Sequence, residues 1–191
     1  SVDNELEHFN ASLGLKPTQS MIVESPFDYQ QQALLCLPRY LPESHANNMP
    51  HAIIKLTLEL IKSAKGCCFV LFTSYRMMHL VAEGLTTQMD YPVYMQGQMS
   101  KRIILEKFTR HGNAVLLGTA SFWEGVDVRG STLSCVIIDK LPFAAPDDPL
   151  LQAKMQDCQL QGKDPFAHIQ LPQAVIALKQ GVGRLIRDSK D

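Results

Sequence analysis

The chain has 191 residues, 46% hydrophobic and 19% charged, with a formal net charge of −1 at pH 7. That composition supports a full buried core and excludes global disorder. The near-zero charge excludes an overall basic surface, so contact with any nucleic acid must be local. No apolar run approaches the roughly 20 residues of a membrane-spanning helix. The polar, acidic opening Ser1-Val2-Asp3-Asn4-Glu5 does not read as a secretory signal.

The first fifty residues read as an irregular lead-in. Residues 21–24 and 33–37 have the composition of short strands around the turn former Ser25-Pro26-Phe27-Asp28. Residues 38–50, rich in Pro, Asn and Ser, read as an exposed connection. A regular alternation follows. Residues 52–65 have helical periodicity, with Ile53, Leu56, Leu60 and Ile61 on one stripe and Gly66 as a stop. Cys67-Cys68-Phe69-Val70-Leu71-Phe72 is a continuous apolar run, as expected of a strand buried on both faces. A helix is predicted over 75–88, and a short strand over 92–95 that ends at Gln96-Gly97. Ser100 is placed to cap a helix reaching about Arg110. Residues 114–117 and 135–138 are two further buried strands. The alternation predicts an α/β fold with a mainly parallel, doubly wound sheet and helices on both faces.

Residues 141–171 break the rhythm with Pro142, Pro146, Pro149 and Pro165. They read as an excursion at the carboxyl edge of the sheet, with a polar helix over 148–161. Pro172 starts a final helix whose buried stripe is Val175, Leu178, Val182, Leu185 and Ile186. The five cysteines (Cys36, Cys67, Cys68, Cys135 and Cys158) fit no zinc or iron–sulfur spacing and read as buried free thiols. No metal site is expected in this chain.

In a parallel sheet, ligands meet the carboxyl ends of the strands, and three segments there carry unusual residues. In Phe72-Thr73-Ser74-Tyr75 a buried strand runs into hydroxyls where a helix begins. Ser74 can cap that helix, and its N-terminal N–H groups suit a phosphate. The plain reading is an N-cap and no more. In Gly118-Thr119-Ala120-Ser121-Phe122-Trp123-Glu124-Gly125-Val126-Asp127, Thr119 and nearby N–H groups can hold a phosphate. Gly125 permits a tight turn, and Asp127 can accept from ribose hydroxyls. The plain reading is a loop with Trp123 packed on the core. In Gln180-Gly181-Val182-Gly183-Arg184-Leu185-Ile186-Arg187 two arginines three apart share a helix face and suit a polyphosphate. The plain reading is a solvated basic face that complements the helix dipole. Lys101, Arg102, Lys107 and Arg110 could extend a basic track, but their spacing is also that of an ordinary exposed helix face.

Together these strings resemble a known family. Residues 118–127 look like motif V of superfamily 2 helicases, residues 180–187 like motif VI, and residues 70–75 like motif IV of the XPD/DinG branch. Leu141-Pro142-Phe143 also matches the bacterial DinG-type wording. The resemblance implies the second RecA-like lobe of an ATP-dependent DNA helicase of the repair type, with 1–50 as its lead-in and 51–191 as the lobe. By position, Arg187 becomes the arginine finger on the γ-phosphate, assisted by Arg184 and Gln180. Gly125, Asp127, Glu124 and Gly183 fall on the nucleotide side. Ser74, Tyr75, Thr119 and Gln96 fall on the DNA backbone.

The departures from the family are as informative. No G-x-x-x-x-G-K-[ST] and no Asp-Glu-x-His occur, and neither the four-cysteine insert nor the family's last strand is present. These belong mostly to a first lobe. The expectation is therefore a fragment, inactive alone, whose parent binds ATP and Mg2+ mainly through that first lobe. Whether the parent carries an iron–sulfur cluster is left open. The implied partners are single-stranded or forked DNA and the first lobe of the same protein, in a monomer that works in the bacterial cytoplasm at the nucleoid. The competing class is a non-catalytic RecA-like module that docks DNA or a partner protein. A metabolite-binding α/β domain would instead need a Gly-rich first βα turn, which is missing.

Overall fold

Four apolar runs decide the architecture. In the computed structural model they are β1 (Cys68–Leu71), β2 (Val93–Met95), β3 (Val115–Gly118) and β4 (Cys135–Ile138). They form one all-parallel sheet in the order β2-β3-β1-β4. The structure describes residues 6, 10, 13–15, 19, 21–23, 25–43, 45–119, 122, 128 and 132–186. Two compact units are present: Phe27–Leu141 with Gln180–Asp191, and Ser1–Pro26 with Pro142–Lys179.

The sheet unit follows the pattern of its residues. β1 and β3 are the inner strands and are buried at every position, as continuous apolar strands must be. Alternation then splits β1 between two faces. Cys68, Val70 and Phe72 join Val115 and Leu117 under α2 (Met49–Ser63) and α3 (Tyr75–Thr86). Phe69 turns to the other face and meets the Phe122 ring edge-on at 6.5 Å. Over that ring, at 5.1 Å, lies Lys101 Nζ from α4 (Lys101–His111). Helix α2 buries Met49, Ile53, Thr57, Leu58 and Ile61, and α3 buries Met78, Val81, Ala82 and Leu85. Each set follows helical spacing. Full burial of the Met, Ile, Leu and Val side chains among them contributes about 1.5–3 kcal/mol apiece before chain entropy is set against it.

Some elements differ from their predicted form. Residues 21–23 and 33–38 are not strands. Leu34, Leu35 and Leu37 are exposed, and a strand forms only where a neighbour takes up its backbone groups. Between them lies the single turn α1 (Tyr29–Gln32), capped by Asp28. Ser100 stands at the N-cap of α4, yet its side chain makes no capping bond. All five cysteines are free, but Cys36 is exposed and Cys67 and Cys135 are half-buried, so only Cys68 and Cys158 fit the expectation of burial. Cys68 and Cys135 stand opposite each other on neighbouring strands. Their mutual hydrogen bond, with burial, holds the Cys68 thiol well above the ordinary range.

The other unit contains α5 (Pro149–Leu160), started by Asp148, whose carboxylate accepts from Leu150 and Leu151 N–H. A π-helical turn, Phe166–Gln170, leads into α6 (Leu171–Val182), which belongs to this unit as far as Lys179 and to the sheet unit from Gln180. The expected stripe of that last helix is only partly realised. Ile186 is buried, Val175, Leu178 and Leu185 are half-buried, and Val182 is exposed.

The turn from α2 into β1 is tight. Lys65, Gly66 and Cys67 all have positive φ, at 55°, 87° and 34°. A Cβ on Gly66 would sit 2.1 Å from the carbonyl oxygen of Asn113. Gly66→Ala is therefore expected to lower stability by at least ~2 kcal/mol, through strain and a backbone clash together. A urea melt of the variant against the wild type measures this, and an unchanged midpoint would contradict it.

Candidate functional site

All four strands end level. Leu71 is in register with Gly118 on one side and Ile138 on the other, and Met95 with Leu117. The residues that follow these strands are therefore brought side by side: Thr73-Ser74-Tyr75 after β1, Gln96 after β2, Thr119 after β3 and Asp139 after β4. Their backbones keep the parallel pairing one residue further. Phe72 N–H donates to Gly118 O at 2.8 Å, Asp139 N–H to Leu71 O at 3.1 Å, and Gln96 N–H to Leu117 O at 2.9 Å.

Side chains then link this edge. Thr119 donates its backbone N–H (2.6 Å) and its hydroxyl (2.9 Å) to Gln96 Oε1. Gln96 Nε2 donates to the Tyr75 hydroxyl oxygen at 2.8 Å. Three of the four residues expected on DNA, Tyr75, Gln96 and Thr119, thus form one hydrogen-bonded chain. The fourth, Ser74, sits at the same turn as the N-cap of α3, its hydroxyl oxygen accepting from Met77 N–H at 3.2 Å. Phe122, whose N–H donates to Thr119 O at 2.8 Å, is buried. Gly118 makes room for it, since a Cβ there would lie 2.7 Å from the Cβ of Phe122.

Asp139 is the residue that sequence reasoning missed. Its Oδ1 accepts from Thr73 N–H at 2.9 Å and so ties the β1 turn to the end of β4. Its Oδ2 is buried without a partner among the described residues. Burial pushes its carboxyl above the usual range, against the pull of hydrogen bonds from Thr73 and Lys140 and of the Lys140 charge. The available signal was a lone acid closing the apolar run Cys135-Val136-Ile137-Ile138 at the ligand edge.

Motif-VI-like residues are described as far as Ile186. Gln180 is exposed in the last turn of α6, and Gly183 and Arg184 lie in the turn beyond it, with Arg184 half-buried. The helix stops at Val182, so Arg184 does not occupy the expected helix face. Two glycines, Gly181 and Gly183, weaken the helix at that point. Arg187, Glu124, Gly125 and Asp127 lie outside the described residues. Among the described residues no group of three His, Cys, Asp or Glu side chains is arranged to hold a metal ion. No described helix is long and apolar enough to cross a membrane.

An all-parallel sheet with helices on both faces and a polar carboxyl edge has the make-up of a RecA-like lobe, and solved structures share it. S. tokodaii Xpd4 superposes with a TM-score of 0.61 at 19% identity, covering 81% of this chain and 31% of that one. An apo XPD structure gives 0.62 at 24% identity, over 78% of this chain and 31% of that one. These likenesses speak to the fold. The chain belongs to the helicase C-terminal domain family, whose model matches residues 57–191. Among curated proteins it is similar to the ATP-dependent DNA helicase YoaA of Escherichia coli, 52% identical over 191 residues, which are all of this chain and 30% of the relative. It is also 37% identical over 177 residues to the ATP-dependent helicase DinG of Mycobacterium tuberculosis, covering 92% of this chain and 26% of the relative. The chain thus spans about a third or less of the length of these relatives.

The Asp139 carboxyl has a consequence for stability. Its folded-state value lies above the ordinary 3.8, so the folded protein keeps this proton to higher pH than the unfolded chain. Its contribution is full below the ordinary value and is lost as pH rises through the raised one. Asp139→Asn is expected to gain stability relative to wild type as pH rises from about 4 to about 7, with the difference closing at the acid end. Urea denaturation at several pH values reads this, and parallel curves for the two proteins would refute it.

Proposed function

We propose that this chain is the second motor lobe of an ATP-dependent DNA helicase of the repair type, and that its carboxyl edge carries the single-stranded DNA backbone. The observation that carries the reading is the hydrogen-bonded set Tyr75–Gln96–Thr119, capped at one end by the α3 N-terminus. Such an edge offers neutral donors and a helix dipole to phosphate oxygens, which holds a strand without reading its bases. A net charge of −1 agrees with a contact that is local. Similarity to proteins named as an ATP-dependent DNA helicase and an ATP-dependent helicase supports the same assignment.

On the nucleotide side the roles are Arg187 as arginine finger, Arg184 and Gln180 as its companions, and Gly125, Asp127, Glu124 and Gly183 toward the nucleotide. A planar cation at the transferring phosphoryl group lowers the barrier by meeting the charge that develops there. The phosphate cradle and Mg2+ belong to a first lobe of the same protein, and so would an iron–sulfur cluster. The working unit is a monomer of the bacterial cytoplasm, acting on single-stranded or forked DNA at the nucleoid.

This chain alone is expected to bind single-stranded oligonucleotides with an affinity that falls as salt rises, and to hydrolyse no ATP. Anisotropy titrations at several salt concentrations and a phosphate-release assay test both. Salt-independent or absent DNA binding would favour a module that docks protein, and turnover that survives Arg187→Ala would refute the division of labour. In a longer protein that carries this lobe, Arg187→Ala is expected to lower ATP turnover by roughly 10³-fold, with nucleotide binding little changed. Turnover within a fewfold of wild type would remove the finger role.

A further inference from the structure

The hydrogen bonds along the carboxyl edge fix which of its groups can reach outward. A backbone N–H only donates, so the end of the Gln96 carboxamide facing Thr119 N–H at 2.6 Å is its oxygen. The nitrogen end therefore faces Tyr75. An amide NH2 donates and does not accept, so at 2.8 Å the Tyr75 oxygen is the acceptor. The proton of the Tyr75 hydroxyl is then directed away from Gln96. Thr119 is in the opposite situation. Its N–H and its O–H both go to Gln96 Oε1, and its surface is only 6% exposed. Tyr75 is 55% exposed, and the first N–H groups of α3 stand beside it.

We infer that Tyr75 is the residue of this set that donates to a DNA phosphate oxygen, while Gln96 and Thr119 are positioning residues that act through it. The inference rests on the reading of this edge as a single-stranded DNA track and divides the labour within it. Thr119 fixes the carboxamide, the carboxamide fixes the phenol oxygen, and the phenol O–H is left pointing at the strand. Without Gln96 the hydroxyl rotates freely and its proton is no longer aimed.

A double-mutant cycle separates this from direct contact by each residue. Binding of a fluorescent oligo-dT to the chain is measured by anisotropy at low salt, with circular dichroism melts to verify folding. Tyr75→Phe keeps the ring and loses the donor, and is expected to weaken binding about 10-fold, as for loss of a hydrogen bond to a charged group. Gln96→Ala is expected to cost about 5-fold with Tyr75 present and less than about 1.5-fold in the Tyr75→Phe background, because coupled residues are not additive. Thr119→Val, which keeps the N–H bond, runs the same cycle if Gln96→Ala does not fold. A Gln96→Ala loss that is equal in both backgrounds would overturn the inference, and so would full binding by Tyr75→Phe while the wild type binds. If the wild type itself shows no salt-dependent binding, the reading of the edge as a DNA track fails, and this inference fails with it.

Discussion

Parallel pairing of β1 with both β3 and β4 is the constraint on which everything else in the sheet unit depends. Parallel strands all end at one edge, and here they end within a residue of one another. Four chain segments that are far apart in sequence therefore turn at the same place. The pairing in turn requires β1 to be apolar on both faces, because α2 and α3 cover one side and Phe122 beneath α4 covers the other. The cost of ordering so many residues is offset by that two-sided burial.

The edge repeats this dependence in polar groups. Strand register sets the backbones, and the backbones set which side chains meet. Gln96 bridges the ends of β2 and β3 and reaches the turn after β1, while Asp139 bridges β4 to that turn from the other side. A half-buried amide with both ends engaged is a rigid element, since neither end can turn without losing a partner. Asp139 is less comfortable. One oxygen is used and the other is buried without a partner among the described residues, which is the kind of local conflict that accumulates near functional edges.

Much of this was legible in the chain. The strands at 67–72, 92–95, 114–117 and 135–138 were visible as apolar runs, and all four exist to within a residue or two. Gly66 and Gln96-Gly97 marked their turns correctly. The strands expected at 21–24 and 33–37 did not form, because an apolar run carries no record of whether a partner strand is available. The last helix stops at Val182, short of the expected helix through Arg187, for a local reason: Gly181 and Gly183 weaken it there. Asp139 went unnoticed because a single acid after a strand has no spacing to recognise.

The sequence by itself determined the fold class, the family and the polar residues that follow β1, β2 and β3, though not Asp139 after β4. Those follow from hydrophobic period and from motifs, which are local properties. Only the tertiary structure decided how Tyr75, Gln96 and Thr119 share their protons. That assignment depends on one backbone N–H, of Thr119, facing one carboxamide from a neighbouring strand. Donor direction is a property of contacts between distant segments, and no string of residues contains it.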